Sequence, residues 1–275
     1  MVREWTREDA AHALRRPTAA DDKYSRGVLG MRTGSDAYPG AAVLGVEAAW
    51  RTGLGMVRYL GGPRAAGLVL ARRPETVTAD GRVQAWVIGS GTDAAARTPT
   101  ETAALRALLI DTDPVVADAG ALDLAVEEEA TAPRILTPHD REHARLRAAL
   151  GLAPAGTDRV AAAADTAEAT GAVMLLKGAV TIVAAPGGWA ATVEAGTPWL
   201  ATAGTGDVLA GVIGALVAGA AAGSPPDGSA LAALAASGAW LHGRAGALAS
   251  AGDRPITALD VADALPGAVA EALAG

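Results

Sequence analysis

The sequence predicts an α/β fold: a mainly parallel sheet with helices on both faces, a hairpin at one edge and a helical C-terminal third. Three observations carry this. Short apolar runs alternate with stretches of helical composition between Val28 and Leu176. Two runs, Val180 to Ala184 and Ala190 to Glu194, flank the turn Pro186-Gly187-Gly188 and pair as a hairpin. From Asp207 onward the chain is almost wholly helical in composition, interrupted at Gly223-Ser224-Pro225-Pro226 and at Gly252 to Pro255.

Taken in order, Thr6 and Asp9 have the spacing of a capping box ahead of a short helix, Arg7 to Arg16. Val28 to Arg32 is a strand closed by the turn Thr33 to Asp36, and Pro39, favoured in a first helical turn, opens a helix to about Thr52. Met56 to Leu60 and Ala85 to Ile88 are strands, the second running into Gly89-Ser90-Gly91. A helix from Thr100 to Ile110 carries Glu101 in its first turn, where the positive end of the helix dipole favours an acid. Val115 to Ala117, Arg134 to Leu136 and Val173 to Leu176 are further strands, with helices at Asp140 to Leu150 and Arg159 to Thr170 between them.

Composition excludes several functional classes. A chain of 275 residues that is 51% hydrophobic and 19% charged buries a large core, and residues 1–275 contain no repeat or Pro/Ser linker that would divide one domain. A net charge of -7 argues against a nucleic-acid backbone or an anionic membrane as the main partner. The longest uncharged apolar run, Val208 to Gly223, is 16 residues, short of the roughly 20 a membrane span needs. The charged N-terminus lacks an apolar signal core, so a cytoplasmic address is expected. Without cysteine there is no disulfide, thiolate metal site or thiol nucleophile. There is no Phe, so Ala, Val, Leu and Ile must build the core, and the only lysines are Lys23 and Lys177.

The densest chemical signal is Ala203-Gly204-Thr205-Gly206-Asp207-Val208, which opens an apolar helix. Glycines around Thr205 let successive N–H groups turn inward, and the helix adds unpaired donors and its positive dipole end, which together make an anion hole. Asp207 at its mouth is placed to take a proton from a hydroxyl during phosphoryl transfer, although the motif taken alone is more often an ordinary first-turn acid. Lys177 ends a strand in Leu176-Lys177-Gly178-Ala179-Val180-Thr181, where it can meet a phosphate while Thr181 bonds a nucleotide. Asp118 and His139 end two other strands, and in a parallel sheet all three share one carboxyl edge. His143, one turn beyond His139, could share its face, but with no third ligand nearby a zinc site is not expected and no metal-ligating residue is assigned. Gly34 to Ala42 is another Gly-rich turn opening a helix, either a plain helix start or a binding loop. Gly89 to Ala94 fits Gly-x-Gly-x-x-Ala with Asp111 beyond it, but Asp111 falls in a turn before the next strand, so the dinucleotide fingerprint lacks its context.

In order, the blocks DKYSRG (Lys23 to Gly27 with the preceding Asp22), Gly34 to Ala42, Val87 to Gly91, Val115 to Leu122, Ile135 to Glu142, Leu175 to Thr181, Thr202 to Gly211 and Trp240 to Ala245 resemble the ADP/ATP-dependent NAD(P)H-hydrate dehydratase family. The resemblance implies a ribokinase-like three-layer α/β/α sandwich. It further implies that the substrate, (6S)-NADHX or (6S)-NADPHX, meets Ala41, Ala42, Gly91, His139 and Asp207. ADP or ATP, the phosphoryl-donating co-substrate used with Mg²⁺, would lie along Lys177, Gly178, Ala179, Val180 and Thr181 and against Gly204, Thr205 and Gly206. Asp207 would be the catalytic base, and a homo-oligomer of four or more copies is implied. Relatives often carry an N-terminal epimerase domain for which this chain has no room, so a separate epimerase is expected. The chain departs from the pattern at Ala203, at Asp140-Arg141 after His139, at Ser90 in place of Pro and at Gly120 in place of a second acid. The competing readings are a ribokinase-like kinase acting on a small vitamin-precursor alcohol and a nucleotide-binding sensor without chemistry.

Overall fold

The protein is described here by a computed structural model covering residues 2–127 and 129–274. In chain order its elements are β1 (Arg3–Glu4), α1 (Arg7–His12), β2 (Val28–Arg32), α2 (Pro39–Thr52), β3 (Met56–Tyr59), α3 (Pro63–Arg72), β4 (Ala85–Ile88) and α4 (Pro99–Leu109). There follow β5 (Val115–Ala117), β6 (Arg134–Leu136), α5 (Asp140–Ala149), α6 (Arg159–Thr170), β7 (Val173–Leu176), β8 (Thr181–Ala185), β9 (Trp189–Val193), α7 (Thr205–Ala221), α8 (Gly228–Ala249) and α9 (Ala258–Leu273).

Among the described residues the strands form one sheet in the order β1-β9-β8-β7-β6-β5-β4-β2-β3. All neighbours pair in parallel except β8, which is antiparallel to β7 and β9. The expected hairpin is therefore present, one position in from the edge: β1 pairs beyond β9 through Arg3 and Glu4. Two exposed polar residues carry no strand pattern, so only the docking of the N-terminus reveals β1.

Alternating side chains on each strand separate two cores. Leu29, Met31, Val57, Val87, Val116 and Leu175 face α1, α2, α3 and α7 to α9. Ile88, Ala117, Leu136, Met174 and Leu176 face α4, α5 and α6. The result is the three-layer α/β/α sandwich expected from the resemblance. Small residues bring the layers together in place of aromatic bulk: a Cβ on Gly214 would press into Val87 and Leu29.

Helix α1 stops at His12, short of the expected Arg16. Arg15 and Arg16 leave the helix to bond Ser25 O and Asp21, and Leu273 O, respectively. Helix α3, unmarked in the sequence reading, starts at Pro63 and buries only Ala65 and Val69. It is tied to α2 through fully buried Glu47, which accepts bonds from Arg51, Arg72 and Arg73. Burial opposes the charge on Glu47, but the three guanidinium groups outweigh it and hold the carboxyl at about 2.

Candidate active site

The parallel strands bring their carboxyl ends to one edge, so the residues just after β2, β4, β5, β6 and β7 meet there although they are far apart in the chain. After β2, Gly34 donates its N–H to Ser90 O at 2.7 Å, which joins the loop before α2 to the loop after β4. Ala41 and Ala42 lie buried in the first turn of α2, and a Cβ on Gly91 would overlap that of Ala41. Gly34, Ala41, Ala42 and Gly91 thus form one closely packed wall. Helix α2 has no side-chain cap.

Beside this wall stands the start of α7. Its N-cap is Gly204, left-handed at φ 90 and without a side-chain cap, a conformation that glycine adopts without a steric penalty. Thr205 begins the helix, two residues earlier than expected, and its hydroxyl donates to Leu200 O and Thr202 O at 2.9 Å. That hydroxyl and the Thr205 N–H, which donates to Thr202 O at 3.4 Å, are both turned into the preceding loop, and Gly206 is the residue of this turn that faces Lys177. Asp207 sits in the first turn, and burial, reinforced by the nearby Asp118 carboxylate and only partly offset by Lys177, pushes its carboxyl up to about 7.

Lys177 follows β7. Its Nζ donates to Asp118 Oδ1 at 2.9 Å and lies 3.9 Å from Glu142 Oε2. Burial disfavours the ammonium, but Asp118 and Glu142 outweigh this and hold it charged well into the alkaline range. A Cβ placed on Gly206 would stand 3.6 Å from this Nζ, so the only lysine of the sheet edge reaches the helix start that carries Asp207.

His139 is the N-cap of α5. Its Nδ1 accepts from the N–H groups of Arg141 and Glu142 at 3.1 and 3.3 Å, and Glu142 Oε2 accepts from the His139 N–H at 2.9 Å. An accepting Nδ1 leaves the proton of the neutral ring on Nε2, a donor available at the rim. His143 does not share this face. It is buried between α5 and α6 with Nε2 2.8 Å from Thr166 Oγ1, because its position on α5 points inward.

Gly178 and Ala179 are exposed in the loop to β8, with Val180 and Thr181 half-buried. Arg159 holds this loop: its guanidinium donates to Lys177 O and Val180 O, both at 2.9 Å, and pairs with Asp140 at 2.9 Å. A cleft of about 600 Å³ adjoins it, lined by Asp140, Thr157 to Val160, Gly178 to Val180, Ile182 and Thr192. Another cavity of similar volume lies at the far end of α7 between Leu14, Leu54, Leu216 and Leu273, away from these polar groups.

Sequence reasoning missed Arg159, Glu142 and the hydroxyls of Ser90 and Thr137, which donate to Asp118 at 3.0 and 2.8 Å. It also gave no role to His242, buried beneath Thr205 with Nε2 lacking a partner and its ring pushed down to about 4 by burial. A signal existed for Ser90 and Asp140: both are departures from the family pattern, and each has a partner here. Gly120 likewise lies against Thr92, where a side chain would collide. The dinucleotide fingerprint is absent in three dimensions as well, since β4 runs into a turn and a single 3-10 turn at Ala94–Ala96 before α4 begins at Pro99. Among the described residues no three His, Cys, Asp or Glu side chains converge as a metal cage, and no helix is long and apolar enough to cross a membrane.

The chain is similar to known proteins. The family model described as NAD(P)H-hydrate dehydratase matches residues 29–266. The Bifunctional NAD(P)H-hydrate repair enzyme Nnr of Mycobacterium tuberculosis is 47% identical over 215 residues, 74% of this chain and 43% of that protein. The ADP-dependent (S)-NAD(P)H-hydrate dehydratase of Neisseria meningitidis is 35% identical over 250 residues, 85% of this chain and 81% of that protein. The chain spans about half the length of the bifunctional relatives it matches. A crystal structure of the ADP/ATP-dependent NAD(P)H-hydrate dehydratase of Bacillus subtilis, co-crystallised with ATP/Mg²⁺, superposes with a TM-score of 0.83 at 27% identity, covering 98% of this chain and 99% of that one. With the family model over residues 29–266 and a relative 35% identical over 81% of its own length, the chain belongs to the NAD(P)H-hydrate dehydratase family.

Proposed function

We propose that the protein is a hydro-lyase of nucleotide repair that converts (6S)-NADHX or (6S)-NADPHX to NADH or NADPH at the expense of ADP or ATP. The observation that carries this reading is Asp207: a carboxylate whose proton affinity is raised to about 7, in the uncapped first turn of α7, beside the Gly91–Ala41 wall. The hydrated nicotinamide would rest on Ala41, Ala42 and Gly91, with the His139 Nε2–H as a donor at the rim. The nucleotide would follow Lys177 to Thr181 with its phosphates at Gly204 to Gly206, where backbone N–H groups and the Lys177 ammonium offset negative charge.

Asp207 takes the proton of the C6 hydroxyl, and that oxygen attacks the terminal phosphorus of the donor. The bond to the leaving nucleotide breaks, releasing AMP from ADP or ADP from ATP. The ring-nitrogen lone pair then expels phosphate from C6, and loss of the C5 proton restores the dihydronicotinamide. Mg²⁺ brought with the nucleotide would neutralise phosphate charge. An epimerase, as a separate domain or protein, would supply the (6S) form, and assembly of four or more copies is checked by sedimentation.

The test is to incubate the protein with hydrated NADH, Mg²⁺ and ADP or ATP, following reduced-nicotinamide absorbance and phosphate together. Absorbance that returns with stoichiometric phosphate, only with nucleotide, supports the dehydratase and identifies the donor. A stable phosphate ester without recovered absorbance would replace it with a kinase acting on an alcohol. Nucleotide binding without turnover would leave a sensor.

A further inference from the structure

We infer that Asp118 is a positioning residue: it binds the Lys177 ammonium at the end of β5 and so keeps that charge from pairing with the Asp207 carboxylate. The inference rests on the reading of Asp207 as the base.

Asp118 is 3% exposed, and three flanking chain segments each send it a donor. Ser90 Oγ, after β4, reaches Oδ2 at 3.0 Å, while Thr137 Oγ1, after β6, and Lys177 Nζ, after β7, reach Oδ1 at 2.8 and 2.9 Å. A buried ion pair contributes little stability compared with apolar side chains of the same size, so a sheet end needs no such cluster to hold together. The next residue, Ala119, is left-handed at φ 45, an unfavourable conformation for a residue with a Cβ. The backbone is therefore strained where it presents this carboxylate.

The consequence lies with Lys177. Its Nζ is close to Gly206 and hence to the first turn of α7, and besides Asp118 and Glu142 the carboxylate that acts on it is Asp207. An ammonium paired with Asp207 would lower its affinity for a proton and weaken it as a base. Held by Asp118 and flanked by Glu142 of α5, the lysine remains charged for phosphate, while the Asp118 carboxylate opposes ionisation of Asp207 and the lysine favours it. The groups that act on Asp207 are Asp118 and Lys177, while His242 of α8, close to Thr205 and Lys177, is held neutral by burial and His139 caps α5. Arg159 and Asp140 pair with each other.

The test compares the pH dependence of turnover, ADP affinity by calorimetry and the ¹³C titration of Asp207, assigned with Asp207→Asn, across Asp118→Asn and Lys177→Gln. In Asp118→Asn the acid limb and the carboxylate midpoint move down by about one pH unit, kcat falls roughly three- to thirty-fold, and ADP binds equally well or tighter. In Lys177→Gln the same midpoint moves up. Midpoints unmoved in both variants, with only stability or rate reduced, would overturn the inference and leave Asp118 a structural residue. If Asp118→Asn does not fold, Lys177→Gln decides, an unmoved midpoint counting against. The carboxylate titration needs no turnover, so a protein inactive on the hydrate would overturn the function above while this measurement still gives its own answer.

Discussion

Gly211 of α7 lies against the carbonyl oxygen of Gly45 of α2, so closely that a Cβ on Gly211 would collide with it and stand 3.1 Å from that of Ala48. One turn before the two glycines are Asp207 and Ala41, so this backbone contact sets the spacing between Asp207 and the wall formed by Ala41, Ala42 and Gly91. Gly211→Ala is expected to cost about 1–3 kcal/mol by overpacking and to lower kcat/KM. Gly219→Ala, on the same helix with an ordinary 3.7 Å contact to Arg26 O, should instead stabilise by about 0.5–1 kcal/mol and leave activity alone. Denaturant unfolding with parallel assays measures both.

Asp207→Asn should abolish most turnover and yet raise stability above neutral pH. The unfolded chain releases this proton near its ordinary value of 3.8 and the folded chain at about 7, so folding stability falls as pH rises between the two. The difference in Tm between variant and parent is therefore largest above pH 7, on the order of several degrees, and shrinks as pH falls toward 4. A constant difference across that range would show that Asp207 carries no raised proton affinity.

His139 offers two separable functions. His139→Asn keeps an N-cap acceptor for α5 and should hold stability to within a few tenths of a kcal/mol, while loss of the Nε2 donor raises KM for the hydrate. His139→Ala loses both, at a cost of about 1 kcal/mol. Equal KM values for parent and Asn variant would remove His139 from substrate binding.

At Gly206 a methyl group has room, since its nearest neighbour would be Lys177 Nζ at 3.6 Å. Gly206→Ala should fold normally and bind ADP at least tenfold more weakly, as roughly expected when a phosphate is kept from the backbone donors of a helix start. Calorimetry decides this, and unchanged affinity would move the nucleotide away from α7.

Much of the site was legible because it depends on local rules. Short apolar strands ending in Asp118, His139 and Lys177 told of one sheet edge, and Gly-x-Gly before an apolar helix told of an uncapped N-terminus at Asp207. His143 shows where this stops: helical spacing put it one turn from His139, but only α6, packed against α5, decided that it turns inward to Thr166. Arg159, which staples the 177–180 loop, carried no local pattern.

The sequence by itself determined the order of the strands and helices apart from β1 and α3, the small-residue core and the chain positions of the polar strand ends, since periodicity, turn residues and helix caps act over a few neighbours. Only the tertiary structure decided which charges meet. Lys177 and Asp118 are 59 positions apart, and Ser90 and Thr137 reach the same carboxylate across 28 and 19. Burial, which sets the proton affinity of Asp207, exists only once α2, α7 and the sheet edge have closed around it.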